Sequence, residues 1–401
     1  MPPRHSLTTA TTSTDTTSTT ATTTVAVLAD DLTSAADGAA PFRRAGHRAL
    51  VRFAAPVAGE AGRSDDGPDD GVTAVDLGTR VVDERTAEAR TRAAARAYAG
   101  AGLLVKTVDS TLRGHVAAEL RAALAGSGRR VAIVAPAFPA EGRTTVDGVQ
   151  YVHGVRVDES AFARDPAHPV GTADLALLLP GAVPFAPGDD PARLAAGGVF
   201  VASAVTDADL DALVAAVPRP GEVLWVGSPG LADALARRHP RTPGAAPRPA
   251  LPAARRPLAV VGSAHPASRR QLAAVRAAGE DDRGTVLHTP DERTEDPGPL
   301  LRRLVDESCA AVREGRADGL VLTGGETAAA VLGALGATGI ELYDEPEPGI
   351  ARGTLHTDRG AAPGIPVLVK AGGFGDDATL VRLTRLLRHP GHPRTPLTLE
   401  G

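Results

Sequence analysis

Lysine is almost missing from this 401-residue chain: of 43 basic residues only Lys106 and Lys370 are lysine, and the others are arginine. Arginine is a planar fork and lysine a compact point charge, so the two do not exchange freely at a tight site. In a sequence whose Ala, Arg, Gly and Pro richness suggests GC-rich coding, the two surviving lysines are positions to watch. Asparagine is absent, which removes every N-glycosylation acceptor. The single cysteine, Cys309, can neither close an internal disulfide nor build a thiolate metal site. No run of about 18 apolar residues occurs, so no membrane-spanning helix is expected. The first two dozen residues lack an apolar signal core, so the expected compartment is the cytoplasm. A formal net charge of −5 argues against a general binder of nucleic acid or anionic membrane.

What is present suits a globular protein. Hydrophobic residues make up 43% and charged residues 23%, enough apolar material for a real core. At roughly 150 residues per domain the length allows two or three domains. Residues 1–23 are largely a Thr/Ser tract with no apolar periodicity, and a disordered tail is expected there. From Thr24 onward, short Val/Leu/Ile runs alternate with helical stripes. The runs fall at 25–29, 49–53, 72–76, 103–106, 131–135, 199–203 and 223–227. Near-continuous apolar strands alternating with helices predict a buried, mostly parallel sheet. Residues 239–257 hold six prolines and read as a linker. A second alternation follows, with strands at 258–262, 284–288, 319–323 and 366–370 and helices at 266–278, 297–314, 326–336 and 376–387. The expected fold class is α/β, with two α/β domains (24–238 and 258–390) whose mostly parallel sheets face an interdomain cleft, and a tail at 391–401. A polar insertion at 56–71 is expected to form a mobile loop.

Chemistry-bearing residues cluster just past strand ends, where open α/β sheets bind ligands. Asp30-Asp31-Leu32-Thr33 follows the first strand; a carboxylate there can orient a sugar hydroxyl and take its proton, although one Asp would also serve as a helix cap. Lys106-Thr107-Val108-Asp109-Ser110-Thr111-Leu112-Arg113 follows another strand and opens a helix. A lysine and an arginine at a helix amino end favour an anion such as a carboxylate or phosphate, against the plainer reading of a turn salt-bridged by Asp109. Arg143 sits in a proline-stiffened loop and is a weaker candidate. Asp165 and His168, in FARDPAHP, read as a capped surface turn. In the second half, Gly262-Ser263, Thr323-Gly324-Gly325-Glu326-Thr327 and Lys370-Ala371-Gly372-Gly373-Phe374-Gly375 each feed a helix amino end. Glycines let backbone amides approach phosphate oxygens, so three such turns point to a nucleotide. The P-loop signature is absent, and Gly100-Ala101-Gly102 precedes its strand, so neither a P-loop ATPase nor a dehydrogenase is indicated.

In order along the chain, ADDLTSAAD, KTVDSTLRGHVAAEL, PAFPAEGRTTVDGVQYVHGV, FARDPAHPV, VGSPGLADAL, VVGSAHPASRRQL, LTGGETAAAVLGALG, EPGIARG and LVKAGGFGDDATL together resemble the four-carbon acid sugar kinases, from about Val25 to about Leu387. The resemblance implies ATP-dependent phosphorylation of threonate, erythronate or 3-oxo-tetronate at the C4 hydroxyl. It implies sugar-acid contacts at Asp30, Asp31, Thr33, Lys106, Asp109, Ser110, Arg113 and Arg143, with Asp31, Arg113 and Lys106 catalytic. Nucleotide contacts would fall on Ser263, Gly324, Gly325, Glu326, Thr327, Gly372, Gly373, Phe374 and Gly375. Mg²⁺ is expected with ATP, with Glu326 and Asp376 as trial ligands. Expected partners are the sugar acid and ATP, without nucleic acid or membrane, and a homodimer is the candidate assembly. Another small hydroxy acid as substrate, or an inactive binding regulator on the same scaffold, are the alternatives. Ser34, His115 and Ala371 depart from the residues usual in the family (Gly, Asn and Ser), which bears on substrate choice.

Overall fold

The computed structural model describes residues 24–53, 71–165, 168–241, 251–278, 284–290, 298–357 and 364–391. The Thr-rich tail, residues 56–70 of the polar insertion, residues 242–250 of the linker and residues 392–401 lie outside them.

The strands are β1 (Val25–Ala29), β2 (Ala49–Phe53), β3 (Val72–Asp76), β4 (Leu103–Thr107), β5 (Val131–Ala135), β6 (Arg143–Val146), β7 (Val149–Val152), β8 (Val155–Arg156) and β9 (Val183–Pro184). They continue with β10 (Gly198–Val201), β11 (Val223–Gly227), β12 (Pro257–Val261), β13 (Thr285–His288), β14 (Gly319–Thr323), β15 (Gly339–Glu347), β16 (Ile350–His356) and β17 (Pro366–Lys370). Every residue of β1, β4, β5, β11, β12, β14 and β17 is buried, as strands covered by helices on both faces require.

The expected α/β class holds, but the two sheets are joined. One 14-stranded sheet runs β13-β12-β14-β17-β16-β15-β2-β3-β1-β4-β11-β5-β10-β9, and β6-β7-β8 form a small second sheet. From β2 to β9 all pairings are parallel. So are those among β13, β12, β14 and β17. The antiparallel hairpin β15–β16, absent from the sequence reading, bridges the halves: β16 pairs with β17 and β15 with β2. One apolar cluster accordingly runs beneath both lobes, from Val27, Phe42 and Trp225 to Leu322, Ile340 and Val367.

Helix starts follow local chemistry. Thr206 and Asp209 form a capping box, and Ser228 caps a helix with Pro229 in its first turn. The last helix begins at Thr379 rather than 376, because Asp376 accepts the Ala378 amide in the turn before it. Among the described residues no helix is long and apolar enough to cross a membrane.

Candidate active site

The carboxyl ends of β1, β3 and β4 bring together a cage of paired charges. Asp31 caps the helix Leu32–Arg44: its Oδ1 accepts the Ser34 amide at 2.7 Å and the Thr33 hydroxyl at 2.9 Å. The capping reading is thus realised for Asp31, while Asp30 takes a different partner. Arg80 donates Nε to Asp30 Oδ2 at 2.8 Å and Nη2 to Asp30 Oδ1 at 3.0 Å, and also binds Asp31 Oδ2 and Ser34 Oγ. Burial works to raise the Asp30 carboxyl, but Arg80 and Lys106 outweigh it and hold it below the usual carboxylate range. Asp31 is the more open of the two, with 23% of its side chain exposed against 5% for Asp30.

The loop from Asp109 to His115 closes the cage. Leu112 and Gly114 adopt positive φ, and Gly114 passes so close to Asp30 that a Cβ built there would lie 3.6 Å from Oδ2. Arg113 Nε donates to Asp109 at 2.7 Å and Nη1 reaches Asp165 at 3.4 Å, so the salt-bridged turn exists inside the cage. Burial opposes the ionised form of Asp109, but Arg113 dominates and its carboxyl falls to about 2. Ser110 is held by its carbonyl, which accepts Gln150 Nε2 at 2.8 Å. Arg143 bonds the Glu141 carbonyl, and its buried Nε has no hydrogen-bond partner among the described residues.

Lys106 does not open to the cleft. It is fully buried, its Nζ 2.9 Å from Glu119 Oε2 and donating to the Thr107 carbonyl at 2.7 Å. In this geometry it acts on the cage through its charge, felt at Asp30, rather than by direct reach.

Sequence reasoning missed Arg80, although it follows β3 by the same strand-end rule that selected the other candidates. It also placed Asp165 and His168 in a surface turn. Asp165 does cap the His168 amide at 2.9 Å, but His168 bonds the Arg80 carbonyl and stacks edge-on against His115, 5.6 Å between ring centres. His115 in turn bonds the Val82 carbonyl at 2.7 Å, so the two imidazoles hold the segment that carries Arg80. Asp76, at the end of β3, accepts the Gly78 amide at 2.8 Å, and burial raises its carboxyl to about 7.

The second lobe gathers its three turns at the ends of β12, β14 and β17. Gly324 has φ +99° and donates its amide to the Lys370 carbonyl at 2.9 Å. Ser263 nests between the other two turns: a Cβ at Gly324 would sit 3.5 Å from its Cβ, and one at Gly372 would collide with its hydroxyl. Thr327 is buried against Gly262, and Glu326 is exposed in the first turn of the helix Gly325–Ala334. Phe374 packs its ring on Gly349 of the hairpin turn. His265, another residue missed, caps the helix Pro266–Ala277 through Nδ1, with its Nε2 edge toward Gly373. Asp376 Oδ1 accepts Arg382 Nη1 at 2.7 Å and the Ala378 amide at 2.9 Å. Among the described residues no three His, Cys, Asp or Glu side chains are grouped to hold a metal. The two lobes meet where Thr33 faces Gly325, a Cβ at Gly325 lying 4.0 Å from Thr33 Cγ2.

This two-lobed geometry has counterparts. Residues 25–235 match a family described as a sugar-binding N-terminal domain, and residues 285–380 match a nucleotide-binding C-terminal domain. A D-threonate kinase of Bordetella bronchiseptica is 35% identical over 91% of this chain and 97% of its own. The chain belongs to the four-carbon acid sugar kinase family. A D-threonate kinase of Cupriavidus necator is likewise 35% identical to this kinase, over 88% of the chain and 95% of its own. Among solved structures, a Salmonella typhimurium LT2 protein described as a tRNA synthase shares the fold, with a TM-score of 0.75 at 20% identity, covering 90% of this chain and 99% of its own.

Proposed function

We propose that this kinase transfers the γ-phosphoryl group of ATP to the C4 hydroxyl of a four-carbon sugar acid, with D-threonate the first substrate to test. Threonate leads because both full-length relatives described above carry that name. The observation that supports the reading is the approach of Thr33, beside the carboxylate cage, to Gly325 in one of the glycine turns, a Cβ built there lying 4.0 Å from Thr33 Cγ2.

In the proposed reaction the C4 oxygen forms the new P–O bond, the bond from Pγ to the ADP oxygen breaks, and the hydroxyl proton leaves to Asp31. Phosphoryl transfer of this kind is mostly positioning and charge neutralisation. Asp31, the more accessible carboxylate, orients the hydroxyl; Thr33, the Ser34 amide and Arg80 hold it in place. Arg113 and the partly exposed Arg143 side chain supply positive charge for the sugar-acid carboxylate, with Asp109 and Ser110 shaping the same loop. Magnesium usually binds phosphate oxygens and keeps several waters, so in this reading it arrives on the triphosphate.

ADP release measured with ATP and D- or L-threonate, D- or L-erythronate and their 3-oxo forms tests the proposal. Turnover on one of these acids supports it. ATP binding with turnover on none would point instead to a binding regulator, and turnover only on another hydroxy acid would move the substrate class.

A further inference from the structure

Lys370 looks at first like a phosphate-binding lysine beside a glycine turn. Its contacts show otherwise. The side chain is fully buried, and Nζ donates to three backbone carbonyls: Ala371 at 2.8 Å, Gly372 at 3.3 Å and Phe374 at 3.0 Å. Two neighbours pull the same carbonyl row from the same side. Ser268 Oγ donates to Gly372 O at 2.7 Å, and Gln271 Nε2 donates to Phe374 O at 2.9 Å and Asp376 O at 3.0 Å.

In a trans peptide the carbonyl and the next amide point opposite ways across one plane. Drawing in the carbonyls of Ala371, Gly372 and Phe374 therefore turns out the amides of Gly372, Gly373 and Gly375. Those three amides have no hydrogen-bond partner among the described residues. Successive outward amides make an anion-binding concavity. The same turn is tied to its neighbour, because the Lys370 carbonyl accepts the Gly324 amide.

We propose that Lys370 is a positioning residue of the nucleotide site: it grips the turn from behind so that the amides of Gly372, Gly373 and Gly375, and not its own ammonium, receive the phosphate oxygens. The proposal rests on the nucleotide reading of this lobe given above.

Direct calorimetric binding of ATP and of ADP, together with full kinetics, tests it on Lys370→Met and Ser268→Ala. Loss of charge-assisted bonds of this kind should weaken ATP binding and raise the ATP KM by about 10- to 100-fold in Lys370→Met. The sugar-acid KM should stay within about twofold of the wild-type value, since a variant with an intact acid lobe keeps that binding. Ser268→Ala, which removes one neutral donor, should move ATP binding in the same direction by less. Unchanged ATP binding in both variants overturns the proposal. So does a fall in kcat with unchanged ATP KM, which would place the ammonium on the transferring phosphoryl group. If Lys370→Met does not fold, Ser268→Ala decides alone, and unchanged ATP binding in it counts against the proposal. Wild-type protein that binds neither ATP nor ADP overturns the nucleotide reading itself, and Lys370's role falls with it.

Discussion

The two lysines occupy matching places, each at the carboxyl end of a buried parallel strand in one lobe, yet they are neutralised in opposite ways. Lys106 faces the carboxylate of Glu119, within a lobe where Arg80 and Arg113 are also answered by aspartates. Lys370 gives its hydrogen bonds to backbone carbonyls, and burial lowers it to about 8. The difference suits the two ligands of the proposed reaction. A small sugar acid would offer a single charge and several hydroxyls, which calls for fixed, ionised side chains. A triphosphate would bring its own charge and, under the proposal above, be met by oriented amides, which cost little reorganisation.

Several experiments sharpen or break this contrast. The largest effect belongs to the acid lobe's reactive end. Asp31→Asn should lower kcat by about 10²- to 10⁴-fold, the usual contribution of acid–base groups, with the ATP KM unchanged. Near-normal turnover would remove Asp31 as base. Next comes the ion pair. Lys106→Met leaves the buried Glu119 carboxyl without its cation, and should lower unfolding free energy by about 3–5 kcal/mol in urea titrations. Adding Glu119→Leu should recover much of that loss; no recovery would mean that the two do not act as a pair. Arg80→Lys keeps the charge but loses the fork that spans Asp30 and Asp31. The value of kcat/KM for the sugar acid should fall by about 10- to 100-fold while ATP binding holds.

The pH dependence separates the two lysines. Lys370 binds its proton less readily when folded, at about 8, than when unfolded near its ordinary 10.5. Between those values the unfolded chain holds the extra proton, so this group's contribution to stability rises with pH, with a slope of up to about 1.4 kcal/mol per pH unit. The titratable groups facing it are Glu347, whose carboxylate acts against the shift, and His265, itself lowered by burial and by Lys370 and Arg270. Comparison of wild type with Lys370→Met from pH 8 to 10 isolates the effect, and a flat difference would contradict it. The smallest change is Ser34→Gly. It removes one 3.1 Å acceptor from Arg80 and should cost about 0.5–1.5 kcal/mol in sugar-acid transition-state binding, read as kcat/KM.

Much of this organisation was legible in the chain. The apolar runs at 25–29, 131–135, 223–227 and 319–323 coincide with strands, because a strand buried on both faces must be apolar throughout. The hairpin β15–β16 was not legible by the same rule. Charged residues interrupt it, Glu341 and Asp344 partly exposed and Arg352 buried, so no continuous apolar run marks it. Pro348-Gly349 at its turn was the signal available. Arg80 was hidden differently: nothing local ties it to Asp30 and Asp31, about fifty positions earlier, until β3 is laid beside β1.

The sequence by itself determined the alternation of strands and helices and the strand-end turns that carry aspartate, lysine and glycine, because hydrophobic period and backbone freedom are local properties. Only the tertiary structure decided which charges meet. It turned Lys106 toward Glu119 and Lys370 toward the carbonyls of Ala371, Gly372 and Phe374, since a buried charge is settled by whichever groups the packed strands and helices leave within reach.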